Sequence, residues 1–118
     1  MSTPLGPYTP VVRAGDWLAV SGQLGLVDGV LVHGGIADET RQAVANVAAL
    51  LAGEGAGLTS VVKTTVYLRH MSDYSLMNDA YVEAFGGHRP ARAAVGVAGL
   101  PLNALVEIEA WAHSPQSQ

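Results

Sequence analysis

In the segment LVEIEAWA at residues 105–112, small or aliphatic residues at the even positions alternate with a set at the odd positions that includes two glutamates. Such a period of two places successive side chains on opposite faces of a β-strand. Val106 and Ile108 fall on one face, which we expect to pack into a core, whereas Glu107 and Glu109 fall on the other face between a leucine and a tryptophan. The fold must therefore cover one face of this strand and give two carboxylates a partly enclosed place on the other.

Two amphipathic helices are predicted to supply that cover. Apolar residues recur at helical spacing over 38–51, with Asp38 or a neighbour as the N-cap and a glycine-rich stretch after the run. A second helix is predicted to follow Ser72 or Asp73 and to end at a Gly-Gly pair. Each helix has one apolar face that can pack against a sheet.

Further strands are predicted on both sides of the helices. The segment 16–27 is followed by a tight Asp-Gly turn into a short strand at 30–32, because Asp-Gly supplies the positive φ of a hairpin turn. The segments 61–69 and 91–97 complete the set. The order β-β-β-α-β-α-β-β predicts an α+β domain with helices on one face of a sheet and the other face solvated or buried in a partner.

The length and composition favour one domain in an assembly. With 118 residues, we expect a single domain over 1–118, with 113–118 as a flexible tail. Hydrophobic residues make up 49% of this small chain, which favours burial of some apolar surface between subunits.

Charge and cysteine content exclude several classes of function. There is no cysteine and the net charge is −4 at pH 7, so we expect no thiol chemistry and no nucleic-acid partner. The N-terminus lacks a secretory pattern and the longest apolar run is too short to cross a bilayer, so we expect no membrane partner and a cytoplasmic location. The four histidines lack metal-ligand spacing, so no metal is expected.

An arginine in the strand at 91–97 is the other candidate for chemistry. Alternation puts Arg92, Ala94 and Gly96 on one face, where small residues would leave a shallow pocket with a cation at its edge. The simpler interpretation is that Arg92 pairs with one of the two glutamates on an exposed sheet face. The alternative is a carboxylate-binding arginine beside a general base. Spacing alone leaves both open.

Several segments, in order and spacing, resemble the Rid family of reactive-intermediate deaminases. The resemblance runs from about Gly6 to Ala112 and is carried by these blocks: GPYT at 6–9, VSGQ at 20–23, TRQAVANV at 40–47, VVKTTVYL at 61–68, NDAYVEAF at 78–85, RPARAAV at 89–95 and LPLNALVEIEA at 100–110.

The resemblance implies a fold like the trimeric bacterial chorismate mutases. It implies a homotrimer with a central barrel of sheets, helices outside and active clefts between adjacent subunits. Typical members hydrolyse 2-imino acids or their enamines to 2-keto acids and ammonia without a metal or cofactor.

The family's site residues fall on named positions of this chain. The resemblance implies that Arg92 holds the substrate carboxylate, that Glu107 rather than Glu109 activates water, and that Tyr8 closes the pocket. Further residues implied to bind substrate or lie near the cleft are Ser21, Gly22, Asn78 and Ala94. We expect Glu107 to work ionised, while a nearby cation and burial would move its pKa in opposite directions.

Departures from the family pattern bear on the substrate more than on the reaction. They fall at Thr9-Pro10, Leu24-Gly25 and Ala93-Ala94, and the small Ala94 would admit a larger side chain. Other possibilities are a trimeric protein that binds a small carboxylate without turnover, and a relative that acts on a different enamine of one pathway. A ribonuclease or translation inhibitor is disfavoured by the acidic charge and the scattered basic residues.

Overall fold

The computed structural model describes residues 4–116 as a five-stranded sheet, a small hairpin and two helices. The strands are β1 (Val11–Ala14), β2 (Trp17–Gln23), β3 (Leu26–Val27), β4 (Val30–Leu31), β5 (Val61–Leu68), β6 (Ala91–Gly96) and β7 (Val106–His113), and the helices are α1 (Ile36–Ala52) and α2 (Tyr74–Phe85). The predicted α+β architecture, with two helices on one face of a mixed sheet, is confirmed.

The sheet has the strand order β1-β2-β7-β5-β6, in which only the β5 and β6 pair is parallel. Strand β7 lies at its centre, between β2 and β5. Val106 and Ile108 are fully buried and join the core under the helices, as their alternation predicts. Core residues from the helices are Val44, Val47, Leu51, Met77, Tyr81 and Phe85.

The other face of the sheet carries several large apolar side chains that are exposed in the single chain. Val12, Trp17, Val95 and Trp111 are 49%, 41%, 42% and 47% exposed. The pairing register places all four on the face of Glu107 and Glu109. Val12, Trp17 and Trp111 lie on adjacent strands, and their register places them near one another. An exposed apolar patch of this kind is characteristic of an interaction face.

The turn at Asp28-Gly29 is confirmed and the element boundaries differ slightly from prediction. Both turn residues have positive φ, 52° and 81°, as a two-residue hairpin loop of this type requires. Helix α1 begins at Ile36, so Asp38 lies inside its first turn, where it pairs with Arg41 at 2.6 Å instead of capping. Among the described residues, no helix is long and apolar enough to span a membrane.

Strand β1 was not predicted, because four residues between a proline and a Gly-Asp turn are too few to establish a period. The start of the predicted tail is anchored, since the Ser114 amide donates to the Asp16 carbonyl at 2.7 Å and the Gln116 amide donates to the Asp16 carboxylate at 3.2 Å. Positions 117 and 118 lie outside the described residues.

Candidate active site

A cleft of about 750 Å³ opens beside the end of β2 and the open face of β7. The N-terminal segment forms one wall and helix α1 contributes part of another. The lining residues are Pro4, Leu5, Gly6, Pro7, Tyr8, Pro10, Ser21, Gly22, Gln23, Leu24, Leu26, Asn46, Ala49, Leu50, Tyr67, Pro101, Glu107 and Glu109. Of the predicted site residues, this cleft brings together Tyr8, Ser21, Gly22 and Glu107.

The Glu107 side chain lies against the backbone of Gly22. The β2–β7 register shifts between Val20 and Gln23, so the strand bulges opposite the glutamates. A Cβ on Gly22 would lie 2.7 Å from the Glu107 Cδ and 2.9 Å from its Cγ. The absence of a side chain at Gly22 therefore leaves room for the Glu107 carboxylate in its present position.

The two carboxylates have different surroundings. The Tyr67 hydroxyl donates a hydrogen bond to the Glu109 carboxylate, and that bond raises the pKa of Tyr67. No hydrogen bond or ion pair within residues 4–116 engages the Glu107 carboxylate. Burial, and then the nearby charge of Glu109, raise the pKa of Glu107. Glu107 is thus the cleft carboxylate that has no hydrogen-bond or ionic partner among residues 4–116.

The N-terminal segment is tied to the end of β2 by Ser21. Its hydroxyl donates to the Thr9 carbonyl at 2.7 Å, and its amide donates to the Pro10 carbonyl at 2.8 Å. These bonds hold Tyr8 at the edge of the cleft, where its side chain is 44% exposed. The Ser21 hydroxyl therefore has a structural partner, and Tyr8 is one of the residues that line the cleft.

Arg92 lies on an aromatic surface made by helix α2. Its guanidinium carbon is 4.9 Å from the centre of the Tyr81 ring and 5.6 Å from that of Tyr74. One terminal nitrogen donates to the Tyr74 hydroxyl at 3.1 Å. The Tyr81 hydroxyl is itself bonded to Thr64 at 2.7 Å in the core. No carboxylate of residues 4–116 lies within 4.0 Å of Arg92.

Arg92 and Glu107 lie on opposite faces of the sheet. The simpler interpretation, in which Arg92 forms an ion pair with a glutamate of the same chain on one exposed face, is therefore wrong. In the parallel register of β5 and β6, Arg92 is opposite Thr64, which is buried under the helices. Glu107 is opposite Tyr67, one step out of phase with Thr64 along β5. Alternation within a strand fixes which residues share a face, but only pairing fixes which face it is.

Ala94 and Asn78 lie outside the cleft of the single chain. Ala94 is opposite the buried Val66 and therefore also faces the helices. Asn78 is on α2, next to Met77, whose sulfur is 3.9 Å from an Arg92 nitrogen. The Asn78 Oδ1 is buried without a hydrogen-bond partner in the described structure. These residues belong with Arg92 in a second group on the helix side of β6.

Sequence reasoning missed the residues that hold these groups in place. The sequence analysis did not identify Tyr67, Tyr74 or Tyr81, because their partners Glu109 and Arg92 lie in other elements of the fold. Asn46 was also missed: its amide donates to the carbonyls of Leu24 and Leu26 at 3.0 and 2.9 Å. Within residues 4–116 no group of three or more histidine, aspartate or glutamate side chains is arranged as metal ligands.

Comparison with known proteins agrees with the resemblance in the sequence. The family model described as Endoribonuclease L-PSP matches residues 1–114. A crystal structure of RidA from the Antarctic bacterium Psychrobacter sp. superposes with a TM-score of 0.90 at 34% identity, covering 95% of this chain and 92% of that one. The chain belongs to the Rid family.

Two curated Rid relatives are similar over most of their length. A RutC family protein of Pyrococcus horikoshii is 45% identical over 112 residues, which cover 93% of this chain and 89% of the relative. The 2-iminobutanoate/2-iminopropanoate deaminase of Bos taurus is 44% identical over 110 residues, covering 92% and 80%. The prediction of a deaminase-type enzyme agrees with the name of the second relative.

Replacing Gly22 by alanine is expected to displace the Glu107 carboxylate, because the new Cβ would meet the Glu107 Cδ at 2.7 Å. The side chain would have to leave its present position, and any activity that depends on it should fall by about tenfold or more. Gly87→Ala is the matched control, since a Cβ there meets nothing within 4 Å. Steady-state rates of both variants would check this, and equal rates would contradict it.

Replacing Glu107 by glutamine is expected to stabilise the protein near neutral pH. Burial and Glu109 raise the pKa of Glu107, so the folded state holds this proton more tightly than the unfolded chain. Below the unfolded pKa, about 4.3, both states are protonated and ionisation has no effect. As the pH rises through the folded pKa, the wild type loses stability that the variant keeps.

Urea unfolding of the two proteins from about pH 4 to about pH 8 would measure this difference. The gap should be absent at the acid end and open as the pH rises. Asp79→Asn, at an exposed position of α2 that makes no ion pair within residues 4–116, is the control for loss of one negative charge. An equal pH dependence in wild type and Glu107→Gln would show that the glutamate is not desolvated as described.

Proposed function

We propose that this protein is a homotrimeric hydrolase of 2-imino acids and their enamines, and that each active site combines Arg92 of one subunit with Glu107 of its neighbour. The observation that carries the proposal is the Glu107 carboxylate, which faces a cleft without a partner in the described chain while Tyr67 engages Glu109. The names of curated relatives support the reaction class.

In this reaction, water adds to the electrophilic C2 of the imine and ammonia leaves from the tetrahedral carbinolamine. Glu107, ionised, accepts a proton from the attacking water as the C–O bond forms. The nitrogen gains protons, the C–N bond breaks, and the hydroxyl proton is lost as the keto group forms. One water is consumed and one ammonia released. A carboxylate with a raised pKa suits both the acceptance and the return of the proton.

Arg92 is proposed to hold the substrate carboxylate. A guanidinium presents two parallel donors that match the two oxygens of a carboxylate. The Tyr74 hydroxyl accepts a hydrogen bond from one of its nitrogens, and the guanidinium carbon lies over the rings of Tyr74 and Tyr81. These contacts set its orientation before a ligand arrives. Orientation of the substrate by such a contact reduces the entropic part of the barrier.

Assembly into a trimer accounts for the separation of the two groups. Since Arg92 and Glu107 lie on opposite faces of one sheet, a substrate that touches both must lie between two copies of the chain. The exposed apolar side chains on the open face, such as Trp17 and Trp111, supply a surface for that contact. The closed symmetry that the family resemblance implies would give three equivalent sites.

Two other functions fit the observations less well. A binding protein without turnover would need Arg92, but gives no role to the unpartnered Glu107. An RNA-cleaving role, which the family description names, would bring phosphates to a cleft with two carboxylates on a chain of net charge −4. Like charges repel, so electrostatics opposes that ligand.

The proposal is tested by the release of ammonia or keto acid from a 2-imino acid made in situ by an amino-acid oxidase. The wild type should accelerate hydrolysis over the reaction without it. Glu107→Gln should lower kcat by about a hundredfold or more, and Arg92→Ala should chiefly raise KM. Arg89→Ala, at an exposed position three residues before Arg92, should retain the wild-type rate.

Absence of acceleration by an intact trimeric wild type would refute the proposed activity. Full activity of Glu107→Gln would remove Glu107 from the reaction while leaving the activity itself in place.

A site shared between subunits makes a further prediction for mixtures of the two variants, assayed at a substrate concentration far below the KM of Arg92→Ala, where each variant alone is nearly inactive. When Arg92→Ala and Glu107→Gln chains are refolded together, some sites should combine an intact Arg92 from one chain with an intact Glu107 from the other. Random mixing of equal amounts should restore about a quarter of the wild-type activity. The same measurement without co-refolding is the control, and no gain on mixing would place both residues' functions within single chains.

A further inference from the structure

We infer that the cleft selects 2-imino acids with an extended aliphatic side chain over those whose side chain has three carbons or fewer. We further infer that Ala49 on α1 sets the upper limit of side-chain size. This inference rests on the proposed function and specifies its substrate class. It depends on an apolar wall of the cleft, whose residues line it together with Glu107 and have no part in the reaction itself.

The wall is apolar and begins close to the reacting position. Leu24 and Leu26 follow Gly22 along the chain, and both line the cleft together with Leu50. Two residues of extended chain span at most about 7 Å, so Leu24 lies within the reach of a substrate side chain whose C2 is at Glu107. The wall is continued by the exposed Leu5 and Ala49.

The wall is held in a fixed position against helix α1. The Asn46 amide donates to the carbonyls of both Leu24 and Leu26. Gly25 between them packs so closely that a Cβ would lie 2.7 Å from the Glu39 carbonyl oxygen. The Glu39 carboxylate in turn accepts a bond from the Leu105 amide at 2.9 Å. A wall fixed by these contacts can discriminate between side chains by shape.

Charge at the cleft narrows the class further. Its charged lining residues within 4–116 are Glu107 and Glu109, so a substrate side chain that ends in a carboxylate meets repulsion and no compensating cation. An aliphatic side chain instead removes apolar surface of both partners from water. The three substituents of C2 then have separate places: the carboxylate at Arg92, the nitrogen and water near Glu107, and the side chain at the leucine wall.

Ala49 offers a direct test because it lies on the surface of a helix and lines the cleft. Ala49→Phe would place a bulky side chain at the cleft from an exposed position of α1, outside the core. The matched control is Ala45→Phe, an exposed alanine one turn earlier on α1 that lies outside the cleft lining. Leu5→Ser, at another exposed position of the same wall, removes apolar surface without adding bulk.

The measurement is kcat/KM for imines made in situ by an amino-acid oxidase from leucine and from alanine, with trimer content followed by light scattering. The wild type should prefer the leucine-derived imine by about tenfold or more. Ala49→Phe should reduce that preference about tenfold, and Leu5→Ser should reduce it about threefold. Ala45→Phe should leave the preference unchanged. A glutamate-derived imine should be the poorest of the three substrates.

The outcomes separate this inference from the proposed function. If neither imine is hydrolysed faster than without protein, the proposed deaminase activity fails and the inference fails with it. If the alanine-derived imine is hydrolysed as well as or better than the leucine-derived one, the activity stands and the inference is overturned. The inference is also overturned if Ala49→Phe and Ala45→Phe change the preference equally.

Discussion

The register between the central strands β5 and β7 determines how the two faces of this sheet are used. Val66 opposite Ile108 and Tyr67 opposite Glu107 are successive pairs, so one face receives aliphatic residues and the next position on each strand receives polar ones. A slip of one residue would carry the glutamates under the helices and expel the core. Burial of the aliphatic face thus fixes the face on which the carboxylates lie. The carboxylates need to make no interaction themselves to be placed there.

Tyrosine hydroxyls and rings then determine which charged groups remain available. Tyr67 takes up Glu109, and the Tyr74 and Tyr81 rings support Arg92 without neutralising it. An arginine on rings keeps its full charge for a ligand, whereas an arginine in an ion pair would have to give up that partner first. Glu107 and Arg92 therefore both lack an ionic partner among the described residues, and they lie on opposite sides of the sheet.

Much of this arrangement was accessible from the sequence, and what was missed has a common cause. Alternation over 105–112 predicted the faces of β7 correctly, and the Asp28-Gly29 pair predicted the hairpin, because both signals are local. The face of Arg92 was not predictable in that way, since it depends on which residue of β5 lies beside it in a parallel pair. Strand β1 and the Asn46 bonds to Leu24 and Leu26 likewise depend on contacts between distant segments.

The contact between Gly22 and Glu107 has a consequence for how such chains can diverge. The two positions cannot vary independently, because a Cβ at 22 and the present Glu107 rotamer would occupy the same space. A chain that first loses the glutamate is free to gain a side chain at 22, but one that gains the side chain first loses the carboxylate position at once. The residues at positions 22 and 107, read together, therefore indicate whether a related chain can still place a carboxylate at this point of the cleft.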